Sequence, residues 1–290
     1  SFIEQCLEGI LMQKTNFNFE ILLGEDDSSD STREICIQYA KQNPDKIRLF
    51  LHSRENNIKI DGKPTGRFNF LNNLKESKGK YIALCEGDDY WTDPYKLQKQ
   101  VDFLEANPDY SICFHKVKLL KGDKLFSDNV IEERYENIKK FPATVFDLLK
   151  HGNFIHTATV IFRNNIRQFP LEFAYSPVGD YFLHIINAQN GYIHRLDEVM
   201  AIYREGVGIY STLSPYNMIN KIIQYNSCIL SYLTHPEQKE ILLRKQLAIV
   251  SGLRKFQNHE NLSNEDLHNQ LSFNKILQLL VLKIKNKFTF

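Results

Sequence analysis

Residues 81–91, Tyr-Ile-Ala-Leu-Cys-Glu-Gly-Asp-Asp-Tyr-Trp, constrain the fold more than any other stretch of the chain. Five apolar or small residues run directly into three carboxylates, Glu86, Asp88 and Asp89. An apolar run this short, closed by a glycine, reads as a buried strand rather than a helix. Ligands of an open α/β sheet bind beyond the carboxyl ends of its strands. The three carboxylates then stand at the mouth of a cleft. Like charges this close raise each other's pKa. A hard divalent cation removes the conflict, because magnesium-like ions take one or two carboxylates together with substrate phosphates. A solvated acidic turn accounts for the same residues, so the rest of the chain has to decide.

A second acidic turn lies upstream. Phe19 to Leu23 reads as a strand and runs into Gly24-Glu25-Asp26-Asp27-Ser28-Ser29-Asp30-Ser31-Thr32, after which a helix begins. Capping by Asp30 or Ser31 explains the end of this turn. It leaves Glu25, Asp26 and Asp27 unexplained, and a carboxylate there suits a ribose or base edge. Before the first strand, Ile3, Cys6, Leu7, Ile10 and Leu11 fall on one helical face. Residues 47–51 form a further strand, 53–66 a loop, Arg67 opens a helix, and Thr92-Asp93-Pro94 starts another. Residues 110–120 read as a strand and 121–141 as a charged surface loop. A strand over 157–162, a helix beginning at Pro177 to Phe182, and two strands over 192–195 and 199–204 follow. From about Pro215 the pattern is helical. Strand and helix alternate over the first 120 residues, which predicts a Rossmann-like, mostly parallel sheet with helices on both faces. Both acidic turns then open on one side. The expected division is a sheet-bearing domain over 1–210 and a helical C-terminal extension over 211–290.

With 290 residues the chain suits one large domain or one domain with an appendage. A formal net charge of +1 gives no bias toward nucleic acid. The five cysteines are scattered without a C-x-x-C pair, against a zinc site or disulfide framework and in keeping with a reducing, cytoplasmic setting. No apolar run reaches the roughly 20 residues of a membrane span. Residues 271–288 mix a broad apolar surface with lysines. That composition suits a helix lying on the inner face of a membrane, and equally a helix docked on the protein.

In order and spacing these motifs resemble the inverting family 2 glycosyltransferases, which have a GT-A fold, over roughly residues 1–210. The marks are the turn Glu25-Asp26-Asp27-Ser28-Ser29-Asp30-Ser31-Thr32 and Arg67 in Gly66-Arg67-Phe68-Asn69-Phe70. They continue with Glu86-Gly87-Asp88-Asp89, Gly179-Asp180 and Tyr203-Arg204. The resemblance implies that Glu25, Asp26, Arg67 and Asp88 meet the nucleotide or its sugar. It implies that Asp89 holds a divalent metal, manganese or magnesium, and that Asp180 is the base for the acceptor hydroxyl. Trp91, His156 and Arg204 are further candidates for acceptor or sugar contact. The implied donor is a nucleotide-diphosphate sugar, first of all a UDP-sugar. The implied acceptor is a glycan or lipid-linked hydroxyl in surface polysaccharide or lipopolysaccharide synthesis.

Plainer readings stand beside these: a helix cap for Asp180, a surface ion pair for Arg67, a core aromatic for Trp91 and a satisfied polar residue for His156. The chain also departs from the pattern. The family's first strand is absent and the chain starts at the following helix. Gly179 replaces the usual glutamate, and no histidine follows Tyr203-Arg204 closely. A nucleotide-sugar-binding protein without turnover is therefore a rival, as is a nucleotidyltransferase, although no Gly-rich phosphate loop stands near the start.

Overall fold

The computed structural model describes residues 2–60, 62–138, 141–166, 168–207 and 213–260. Helix α1 (Phe2–Leu11) precedes β1 (Ile21–Glu25), α2 (Thr32–Gln42) and β2 (Ile47–Leu51). A two-residue ladder, β3 (Lys59–Ile60) with β4 (Lys63–Pro64), interrupts the expected loop before α3 (Arg67–Glu76). Then come β5 (Tyr81–Ala83), β6 (Tyr90–Trp91), α4 (Lys96–Ala106), β7 (Tyr110–Lys121), β8 (Lys124–Ser127) and α5 (Asn129–Glu136). The chain continues through α6 (Val145–His151), β9 (Ile161–Arg163), α7 (Leu171–Tyr175), α8 (Asp180–Ala188) and β10 (Tyr192–Arg204). It closes with α9 (Pro215–Tyr232) and α10 (Pro236–Glu260).

The α/β architecture is the expected one, and the strand directions within it are mixed. β1 and β2 pair in parallel, from Ile21 opposite Ile47 to Glu25 opposite Leu51. A second sheet runs β5-β9-β7-β10-β6, with β8 also on β7. Only β7 and β10 are parallel in it; its other ladders are antiparallel. The free edges of β1 and β5 line a groove of about 1550 Å³ between the two sheets, with Leu22, Ile82, Trp91 and Thr157 in its walls.

Three apolar clusters support this frame. The largest joins Ile112 and Phe114 of β7, Leu148 and Leu149 of α6, and Phe182, Leu183 and Ile185 of α8. It also takes in Ile229 of α9 and Leu242 of α10, so one core runs through the C-terminal helices. Every residue of α8 from Tyr181 to Ala188 is buried, which fixes this helix and the Asp180 at its start. A second cluster sits under β6 and α4 around Trp91, Leu97 and Leu104. The third packs α1 on β1 and α2 through Leu7, Leu23 and Cys36.

Within the expected surface loop the chain forms β8 and α5. Gly122 at φ 58° turns β7 back into β8, and Asp128 then caps α5 by accepting from the Ile131 N–H at 3.0 Å. The two strands expected over 192–204 are one, with register shifts on either side of Val199. In the region 157–162 a short 3-10 turn, Thr157–Thr159, comes before β9. The 271–288 segment lies outside the described residues, and no described helix is long and apolar enough to cross a membrane.

Candidate active site

Glu86, Asp88 and Asp89 converge in the turn between β5 and β6. One carboxylate oxygen from each lies within 4.8 Å of the others. Asp89 is wholly buried. Its Oδ1 accepts the backbone N–H of Arg204 at 2.9 Å, which ties the acidic turn to the end of β10. Its Oδ2 has no hydrogen-bond partner. Burial, together with the charge of Asp88, pushes the Asp89 carboxyl up to about 7 against the pull of Arg204 and His156. Desolvation first, and then the charges of Asp180, Asp89 and Asp88, push Glu86 up to about 8. Glu86 keeps an exposed edge at the mouth of the cluster. A buried anion with an orphaned oxygen beside two more carboxylates is costly by itself. It is the donor set a hard divalent cation requires.

Asp180 faces this cluster from the first turn of α8. No side-chain cap bond is made at this helix start, so the capping explanation of Asp180 does not hold. Its Oδ2 accepts from Asn153 Nδ2 at 3.0 Å instead. Arg67 lies beneath. Its guanidinium is buried, donates to the Ser176 carbonyl at 2.6 Å and stacks near Phe70 and Phe173. Burial lowers its pKa while Asp180 raises it. Arg67 is therefore no surface ion pair. It supports the Asp180 turn from inside, and its Nε is buried without a partner. Its position also explains Gly179: a Cβ there would sit 1.9 Å from Arg67 Nη1.

The β1 turn forms a second group. Asp26 Oδ1 is buried without a partner, and burial raises its pKa although Asn57, His52 and Arg54 favour the anion. An unpaired acceptor of this kind suits the N–H or hydroxyl of a nucleoside. Glu25 behaves otherwise. It is 3% exposed and accepts from the N–H groups of Ser28 at 2.6 Å and Asp27 at 3.2 Å, with Arg33 paired to it. Burial raises its pKa, and the bonds from Ser28 and Arg33 outweigh that and hold it below the carboxylate range. Glu25 thus builds the turn. Asp27, in the middle of this turn, takes the left-handed backbone at φ 61°.

Two further candidates have structural work instead. Trp91 is 4% exposed and belongs to the core. Its indole N–H donates to the Ala158 carbonyl at 2.8 Å, and Lys96 Nζ sits 4.1 Å from its ring centroid, so no ring face is open to a sugar. Arg204 spends its guanidinium on the Asp88 carbonyl and the Gln5 side chain, between the rings of Phe2 and Tyr90. It latches the acidic turn to α1 rather than reaching outward. His156 pairs with Asp128 at 2.8 Å, its ring 4.8 Å from that of Tyr203. Sequence reasoning missed Asn153 and Asp128. Asn153 belongs to none of the motifs, and Asp128 falls in the stretch expected to be a loop.

Carboxylates thus gather beyond the end of β5, with the separate carboxylate of Asp180 opposite them. The sequence profile of glycosyl transferase family 2 matches residues 1–169, and the chain belongs to that family. Its fold is of the GT-A type. The uncharacterized protein Rv1520 of Mycobacterium tuberculosis is 34% identical over 203 residues, covering 70% of this chain and 55% of that protein. The uncharacterized glycosyltransferase alr2836 of Nostoc is 25% identical over 214 residues, covering 70% of this chain and 60% of that protein. The chain thus spans just over half the length of these relatives. Among solved structures, S. aureus TarS in complex with UDP-GlcNAc has a TM-score of 0.59 at 18% identity, covering 92% of this chain and 74% of that one. The mannosyltransferase PcManGT of Pyrobaculum calidifontis, in complex with GDP-Man and Mn2+, has a TM-score of 0.54 at 16% identity, covering 96% and 76%. At such identities these likenesses speak for the fold alone.

Proposed function

We propose that this chain transfers a sugar from a nucleotide-diphosphate donor to an acceptor hydroxyl with inversion at the anomeric carbon, and that it needs a divalent metal. One observation carries the reading: a three-carboxylate cluster with an orphaned buried oxygen faces a separate carboxylate, Asp180, held by a hydrogen bond. Asp89 and Asp88 would hold manganese or magnesium. When bound, the ion supplies positive charge against the negative charge growing on the leaving diphosphate. Asp26 receives the nucleoside. Asp180 takes the proton of the acceptor hydroxyl as it attacks from the far side of the sugar, and one such attack inverts the configuration. Asp180 opens a helix, where the dipole favours the anion needed for this task.

UDP comes first among donors in this reading, with GDP second. The acceptor is a glycan or a lipid-linked hydroxyl in surface polysaccharide synthesis, reached at the cytoplasmic face of a membrane. Residues 1–210 carry the chemistry, and α9 and α10 follow as a helical extension. The test is calorimetric titration of UDP and of GDP, with manganese and with chelator. Binding of one nucleotide that is lost in chelator supports the reading. Equal affinity in chelator sinks the metal's role.

A further inference from the structure

We infer that Asn153 is the positioning residue of Asp180, a role that rests on the proposed function of Asp180 as the base. The geometry leaves the Asn153 amide one orientation. Its Oδ1 accepts from the Ile155 N–H at 3.2 Å, and a backbone N–H can only donate. Oδ1 also meets His184 Nδ1 at 3.1 Å. Burial lowers the His184 pKa to about 4, so the ring is neutral and Nδ1 carries the hydrogen it gives to Oδ1. With Oδ1 fixed by two donors, Nδ2 has to point at Asp180 Oδ2, 3.0 Å away.

The residue itself is anchored. Gly152, at φ 86°, turns the chain out of α6, and Arg134 of α5 donates to the Asn153 carbonyl at 2.7 Å. Asp128 holds His156 on the same segment. Asn153 therefore brings four contributors to one carboxylate: the end of α6, the 153–156 segment, α5 and α8. Asn153 donates to Oδ2 of Asp180. A base held this way is presented in a fixed direction, and misplacement of a reacting group by about 1 Å costs on the order of 10²-fold in rate.

The test uses Asn153→Asp, which keeps an oxygen for Ile155 and His184 and replaces the N–H given to Asp180 by a carboxylate oxygen that repels it. Asn153→Ala is the second variant. Nucleotide release from UDP-N-acetylglucosamine and from GDP-mannose, with manganese and water as acceptor, gives kcat; calorimetry gives donor affinity. Both variants are made alone and on an Asp180→Asn background. The expected result is a fall in kcat of roughly 10–100-fold, donor Kd within about twofold, and no further loss on the Asp180→Asn background, since residues acting as one unit are not additive. Losses that multiply across the two sites overturn the inference and leave the base assignment intact. Full turnover in Asp180→Asn alone removes the base, and this inference with it. A wild type that releases nucleotide from neither donor does the same.

Discussion

Replacing Asp89 by asparagine separates what the acidic cluster costs from what it is for. Asp89 is wholly buried, one oxygen bound to the Arg204 N–H at 2.9 Å and the other unpaired. Burial first, then Asp88, lifts its carboxyl from 3.8 to about 7. A folded pKa above the unfolded one favours the protein at low pH. That contribution is complete below about 3.8 and is lost as pH climbs through about 7. At 1.36 kcal/mol per pKa unit, three units are about 4 kcal/mol as an upper bound. In a chain of this size about 1 kcal/mol moves Tm by roughly 2 °C. In chelator the wild type should therefore lose up to about 8 °C between pH 4 and pH 8 from this group. Asparagine keeps an oxygen for Arg204 and carries no charge. Asp89→Asn should show a flatter profile and melt above the wild type at pH 8 without metal. Manganese should then reverse the ranking, raising the wild type and leaving the variant unmoved. Scanning calorimetry across pH, in chelator and in manganese, reads all four conditions. A variant less stable than wild type in chelator at pH 8, or one that manganese stabilises equally, refutes the reasoning.

Two more substitutions test the turns. Asp27→Gly should stabilise by about 0.5–1 kcal/mol, because glycine takes the left-handed backbone at φ 61° more readily and the exposed Asp27–Arg33 pair is worth little; a lower urea midpoint for the variant would count against this. Gly179→Ala should destabilise by roughly 1–3 kcal/mol and slow turnover, since its Cβ has to displace the buried Arg67 guanidinium that lies 1.9 Å away; an unchanged midpoint and rate would show that Arg67 can move aside freely.

The elements nearest the site were legible because their signals are local. The apolar run into Glu86, Asp88 and Asp89, the start of α3 at Arg67 and the apolar face of α8 all announce themselves within a turn or two. Strand direction is not local. Alternation in β9 looks the same whichever way the strand runs, and only its pairing with β5 and β7 shows it antiparallel to both. The roles of single polar residues depend on equally distant partners. Glu25 and Asp26 are adjacent and alike in sequence, yet one is consumed by Ser28 and Arg33 and the other keeps a bare oxygen. Trp91 gave no sign of Ala158 or Lys96, nor Arg204 of Gln5. Asn153 became visible only when α6 and α8 were brought side by side.

The central claim is catalysis by a carboxylate opposite the metal-binding cluster. It is tested most directly by Asp180→Asn, with nucleotide release from UDP-N-acetylglucosamine and GDP-mannose measured beside donor affinity. Asparagine fills the same space and cannot take a proton. The account predicts that the rate falls by about 10²–10⁴-fold, the usual range for a general base, while donor affinity and melting temperature hold. A variant that turns over donor at the wild-type rate would contradict it.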